Sequence, residues 1–248
     1  MSEVVHYEVE GRVATLTLDS PHNRNALSRQ LVTELFAGLD RAEADPQVAV
    51  VVLTSAGSVF CSGADLSEAS GGGMEEGTRR IVELQRRIVA SPKPFVSRVT
   101  GAVRAGGIGV VAATDIAVAT TSSTFALTEV RLGLAAATIS LTVLPRMTSR
   151  AAARTFLTGE KFDGRAAASI GLVTLAVPEA ELDAEISRIV TDLGKGHPQG
   201  LRETKRVVNA GMLAGFDRDG EAMAELSARL FHSDAARETM LAFLSRGK

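Results

Sequence analysis

In the stretch Val99-Thr100-Gly101-Ala102-Val103-Arg104-Ala105-Gly106-Gly107-Ile108-Gly109-Val110-Val111-Ala112-Ala113-Thr114-Asp115-Ile116, a strand end gives way to small residues, and Gly106-Gly107 open an apolar run that stops at Thr114-Asp115. Phe95 to Val99, entered through Pro92 and Pro94, reads as a strand. Gly106 to Ala113 reads as a buried helix, and Asp115 to Ala119 as the next strand. Strand, helix, strand order argues for parallel crossovers and an α/β fold. A helix start leaves backbone N–H groups unpaired and carries a positive partial charge. Such groups can hold a developing oxyanion, and glycine there lets a substrate approach the backbone closely. Phe60-Cys61-Ser62-Gly63-Ala64-Asp65-Leu66 is a second glycine-bearing segment, just after a buried strand. Taken alone, both segments also read as tight turns near strand ends.

Working outward, Val4 to Val9 and Val13 to Leu18 read as short strands turned by Glu10 and Gly11. Pro21 to Asn25 reads as a loop, and Ser28 opens a helix in which Leu31, Leu35 and Leu39 recur. Val48 to Leu53 is a β-branched run of the kind buried on both faces. Ser55 to Gly63 reads as a small-residue loop, Ser70 to Gly73 as a mobile glycine-rich loop, and about Thr78 to Val89 as a helix. Val173 to Val177 reads as a late strand, after which the pattern turns helical. Four helices are expected there: Glu181 to Leu193, Leu201 to Ala210, Arg218 to Phe231 and Asp234 to Leu244, with Gly194 to Gly200 as a linker or turn. The division is an α/β core over 1–193 and a helical region over 194–248.

Composition excludes several classes. With 45% hydrophobic and 23% charged residues the chain can bury a sizeable core. A formal charge of -2, with no basic stripe, gives no reason to expect nucleic acid. Apolar runs such as Ile108 to Ala113 are too short to span a bilayer, and Met1 to Glu10 is no secretory signal. Cys61 is the single cysteine, which excludes an internal disulfide and fits a reducing, cytoplasmic setting. It reads as a small buried residue, since no base flanks it. His6, His22, His197 and His232 are scattered, so no metal site is expected. There is no P-loop, H-E-x-x-H or G-x-S-x-G, and no strand leads into Gly71-Gly72-Gly73 as a dinucleotide fingerprint requires.

Phe60 to Leu66 resembles the F-x-A-G-A-D-L/I segment of the crotonase (enoyl-CoA hydratase/isomerase) family, with Ser62 in place of alanine. Val99 to Ile116 resembles its second signature, V-x-G-x-x-x-G-G-G through C-D-I, with Ala105 replacing the first of three glycines. Phe125-Ala126-Leu127-Thr128-Glu129-Val130-Arg131-Leu132-Gly133-Leu134 resembles the third, F-x-x-P-E-x-x-x-G-L. Arg24 to Ser28, Leu144-Pro145-Arg146, Leu157 to Glu160, Ala166 to Val173 and Ala242 to Leu244 agree as well, so the likeness runs through nearly the whole chain. It implies a ClpP/crotonase-like spiral of ββα units whose helical C-terminal region serves trimerisation, as a homotrimer or dimer of trimers.

The resemblance also implies roles. The backbone N–H groups of Ala64 and Gly106 would grip the thioester carbonyl of an acyl-CoA substrate, with Gly107 beside them. Ser62 would reach the adenine through its carbonyl, Arg24 a CoA phosphate, and Asp65 and Leu66 the bound substrate, although Asp65 reads better as a turn cap. Arg246 and Lys248 lie near the helix that approaches a neighbour's CoA in relatives. Hydratases of the family usually carry two glutamates; Glu129 matches one, and Gly109 stands where the other belongs. Arg104, between strand and oxyanion helix, would pair with an acidic acyl group or with a structural carboxylate. No cofactor is expected beyond the CoA carried by the substrate. The implied activity is reversible addition of water to a 2-enoyl-CoA, with a likeness to methylglutaconyl-CoA hydratase-like members. A double-bond isomerase and a non-catalytic acyl-CoA binder are the alternatives.

Overall fold

The computed structural model describes residues 2–68 and 74–245. Its centre is the apolar run around Val50, which forms β3 (Val50–Ser55), buried along its whole length. Alternation divides that strand between two cores. Val50 and Val52 face helix α7 (Glu179–Gly194) with Leu182, Ile186 and Ile189, while Val51 and Leu53 face the main core. Around β3 a six-stranded sheet runs in the order β1-β2-β3-β5-β7-β10. Its strands are β1 (Val5–Glu10), β2 (Val13–Leu18), β5 (Phe95–Val99), β7 (Ile116–Thr120) and β10 (Leu175–Val177), and every pairing except antiparallel β1–β2 is parallel.

A second, four-stranded sheet has the order β4-β6-β8-β9: Val59–Cys61, Ala102–Arg104, Thr124–Ala126 and Phe162–Asp163. The chain leaves β3 for β4, β5 for β6 and β7 for β8, so each turn gives one strand to each sheet before a helix returns. This is the expected spiral of ββα units. Helix α1 (Arg29–Ala44) starts as expected: Ser28 accepts a hydrogen bond from Leu31 N, and Leu31, Leu35 and Leu39 are buried. Helix α2 (Met74–Ala90) begins earlier than Thr78, and α3 (Gly106–Ala113) is buried from Gly107 onward.

Three expectations are corrected. Ser55 to Gly63 is not all loop, because Val59–Cys61 pairs with β6. Helices α4 (Ala137–Arg146), α5 (Ser149–Thr158) and α6 (Gly164–Ser169) fill a region for which the sequence pattern predicts no element. The segments 201–210 and 218–231 are one helix, α8 (Pro198–Phe231), leaving only residues 195–197 between it and α7. Gly211 and Gly215 suggest a break, yet the buried stripe Lys205, Asn209, Met212, Phe216, Gly220, Ala224 keeps helical spacing straight through them. Arg86–Asp217 and Arg79–Glu221 ion pairs tie the same face to α2.

Lys205 fastens α8 to the core. Its ammonium, nearly fully buried, pairs with Asp115 at 2.9 Å, donates to the carbonyls of Ile88 and Lys93, and lies over the Phe95 ring. Asp115 also accepts from Phe95 N and Asn209 Nδ2, so the charges are enclosed with hydrogen bonds on both sides. Helix α9 (Asp234–Ser245) turns back onto its own chain, where Thr239 Oγ1 donates to Leu132 O at 2.7 Å. Leu226, Leu230 and Phe231 of α8 are half-buried within the chain. The side chains of Leu241, Phe243 and Leu244, and Ser70 to Gly73, Arg246 and Lys248, lie outside the described residues.

Candidate active site

A cleft of about 1070 Å³, its open mouth included, is lined by Ala64, Gly106 and Glu129 together with Ser62, Asp65 and Leu66. The Ala64 loop is held by the segment before α1. Arg24 and Asn25 both take left-handed backbone, with φ 58° and 55°. Buried Asn25 locks this turn by accepting from Ser20 N at 2.6 Å and donating to Val59 O at 2.8 Å. Leu27 N donates to Gly63 O at 2.8 Å, Ser62 N to Arg24 O, and Ser62 Oγ to Asn23 O. Leu27 and Ala64 complete a parallel bridge.

Gly106 is the first residue of α3. Neither its N–H nor that of Ala64 donates to another protein group among the described residues. A β-carbon on Gly106 would lie 4.0 Å from Ala64 N and 2.8 Å from Leu27 Cδ1, so a side chain here would fill the space beside both donors. Ala105, which turns the chain from β6 into α3, has φ 47° and ψ -122°. Strain of about 1–3 kcal/mol thus falls on this non-glycine residue. Gly107 is buried away from the cleft: a β-carbon there would meet Cys61 Cβ at 2.6 Å. Cys61 is buried, with its thiol pushed up to about 12 by burial, as fits a packing residue.

Glu129 stands in a short 3-10 helix, Thr128–Leu132, after β8. Gly133, in the left-handed conformation, ends that turn, and the N–H groups of Gly133 and Leu134 both donate to Glu129 O. The residue as a whole keeps some exposure, but its Oε2 is enclosed and has no hydrogen-bond partner among the described residues. Burial raises its pKa to about 7, opposed weakly by its own N–H. The other acids on the cleft are engaged. Asp65 accepts from Asn23 Nδ2, Ser67 N and Ser67 Oγ, a turn cap; burial works to raise its pKa, but these hydrogen bonds outweigh it and hold it low. Glu68 accepts from Arg29 N at the start of α1.

Gly109 is closed off from the cleft. A β-carbon there would meet Ile139 Cγ2 at 2.5 Å and Gln85 Oε1 at 2.8 Å. Thr142 Oγ1 donates to Gln85 Oε1 and lies 3.0 Å from Gly109 O, sealing the position from behind. Arg104 pairs with no carboxylate among the described residues and is absent from the cleft wall. It donates to the carbonyls of Val103 and Thr124 and to Thr124 Oγ1, bracing β6 against β8. Arg24 is exposed and off the cleft wall. Sequence reading missed the far wall: Thr138 on α4, and Ser227 and Phe231 on α8, line the cleft with Leu132, Leu134 and Ala136. Their one signal is the i, i+4 spacing of Ser227 and Phe231.

Among the described residues no helix is long and apolar enough to cross a membrane, and no group of three or more His, Cys, Asp or Glu is placed to hold a metal. Known proteins resemble this chain along nearly its whole length. A crystal structure of an enoyl-CoA hydratase from Mycobacterium avium superposes with a TM-score of 0.93 at 53% identity, covering 99% of this chain and 98% of that one. A short-chain-enoyl-CoA hydratase of Clostridium acetobutylicum is 28% identical over 246 residues, 97% of this chain and 94% of the relative. A peroxisomal Delta(3,5)-Delta(2,4)-dienoyl-CoA isomerase of Arabidopsis thaliana is 27% identical over 263 residues, 99% of this chain and 95% of the relative. The family model described as enoyl-CoA hydratase/isomerase matches residues 8–248, all three signature segments included, and the chain belongs to that family.

Proposed function

We propose that the protein adds water reversibly to a 2-enoyl-CoA thioester, using the Ala64 and Gly106 N–H groups and the carboxyl of Glu129. The observation that carries this reading is the enclosed Oε2 of Glu129, unpartnered in the same cleft as two free backbone donors. The thioester oxygen sits against the two N–H groups at the positive end of α3. As the water oxygen bonds to C3, its proton passes to the Glu129 carboxylate and the electron pair moves onto the thioester oxygen. Each donor stabilises that charge by about 3 kcal/mol. The enolate then takes a proton at C2 from the Glu129 carboxyl, which restores the carboxylate. A pKa near 7 suits a group that must accept and return one proton.

Isomerisation is the second reading, favoured by the single unengaged carboxylate among the described cleft residues. There Glu129 removes a proton from C2 of a 3-enoyl-CoA and returns it at C4, with no water consumed. Incubation with 2-enoyl- and 3-enoyl-CoA, with products weighed by mass spectrometry, separates the two: a gain of one water marks hydration, an unchanged mass with a moved double bond marks isomerisation. Tighter calorimetric binding of acetoacetyl-CoA than of free CoA is expected in either case, whereas equal affinity counts against both. Assembly as a homotrimer or dimer of trimers belongs to the same proposal. Light scattering after size exclusion tests it, and a monomer at micromolar concentration rejects it.

A further inference from the structure

Ser227 sits on α8 and is 7% exposed, yet its hydroxyl makes no hydrogen bond with any other described residue. It is not sealed off either, since Ser227 lines the cleft. Several helical hydroxyls bond back to the preceding turn, as those of Ser140, Thr155, Thr158 and Ser169 do, while Ser187, Thr191 and Thr204, which do not, are exposed. Ser227 leaves that bond unmade and keeps its donor and acceptor for whatever fills the cleft. Thr138, at the start of α4, lines the same cleft, and its hydroxyl is likewise unpartnered among the described residues. Around them the wall is apolar: Leu134, Ala135, Ala136 and Phe231. A buried hydroxyl facing apolar surroundings is costly unless its occupant bonds to it.

No Lys, Arg or His lines the cleft among the described residues, while Asp65, Glu68 and Glu129 do. A carboxylate at the far end of an acyl group would therefore find no counter-charge, which argues against a methylglutaconyl-type substrate. We propose that Ser227, with Thr138, forms a specificity subsite for an acyl group carrying an uncharged oxygen substituent, a hydroxyl or a keto group. This inference rests on the proposed function, since it places an acyl-CoA in the same cleft.

The test is calorimetry with saturated acyl-CoA thioesters of one chain length, unsubstituted or bearing one hydroxyl at successive carbons from C4 outward. These thioesters are neither substrate nor product of the proposed reaction, because the hydration product carries its hydroxyl at C3, so they report binding alone. One hydroxyl position is expected to bind between about 3- and 10-fold tighter than the unsubstituted thioester. Ser227→Ala is expected to abolish most of that ratio, and Thr138→Val to reduce it. Thermal melting of each variant checks folding, and because the readout is a ratio between two ligands, a general loss of affinity does not imitate the effect. Equal affinity for all thioesters, or a ratio untouched by Ser227→Ala, overturns the subsite while leaving the proposed function standing. Binding of none of them overturns both.

Discussion

Replacing Glu129 by glutamine keeps the side chain's size and removes its titration. The folded chain holds the Glu129 proton more tightly than the unfolded chain does, because burial raises the pKa from its ordinary 4.5 to about 7. The stability this contributes is therefore fully present below about pH 4.5 and is lost as the pH rises through about 7. At 1.36 kcal/mol per pH unit, the interval corresponds to about 3 kcal/mol. Glu129→Gln does not suffer that loss. Its advantage over the wild type should be small near about pH 4.5 and grow to about 3 kcal/mol by about pH 8.5. Urea denaturation of both proteins across this range measures it. In the same variant turnover on any active enoyl-CoA should fall about 10²-fold or more, and the wild-type kcat/KM should rise with pH through about 7 if the carboxylate acts as the base. A stability difference that stays constant with pH would refute the enclosed carboxyl. Full activity in Glu129→Gln on every active substrate would refute its catalytic role.

Gly109→Ala should destabilise the fold by about 1–3 kcal/mol through contact with Ile139 and Gln85, and Gly109→Glu by more, measured as a lowered urea midpoint. Such a variant should therefore not restore a second acid to the cleft. Lys205→Met should cost about 3 kcal/mol, read by the same titration, because it leaves Asp115 enclosed without its counter-charge. Gly211→Ala and Gly215→Ala should each add about 0.5–1 kcal/mol, since an added β-carbon meets nothing within 4 Å and helix interiors disfavour glycine.

What the sequence disclosed depended on how local the physics is. The burial of β3 on both faces and the Ser28 cap of α1 follow from a few adjacent residues, and both appear as read. The second sheet was hidden because β4, β6 and β8 are three residues each, too short to show a period. The continuity of α8 was hidden because Gly211 and Gly215 lower local helix propensity, while the forces that override them come from α2 and from Asp115, far away in the chain. In the site, the segments bearing Ala64, Gly106 and Glu129 were legible, and the structure brings the three residues to one cleft. The destination of Arg104 was not, because it is settled by Thr124 from another segment, whereas the turn-cap reading of Asp65 is met by Ser67, two residues on.

The placement of Gly109 bears on what one carboxylate must do. In this chain the position is part of the packing between α3, α2 and α4, with Ile139 and the Gln85–Thr142 pair occupying the space a longer side chain would need. The absence of an acid there is consequently a property of three helices rather than of one codon. The Ala64 and Gly106 N–H groups, by contrast, belong to the main chain, which supplies one at any residue except proline. In the proposed reaction, charge on the thioester oxygen would fall to these main-chain groups and proton movement to Glu129, with Thr138 and Ser227 lining the same cleft.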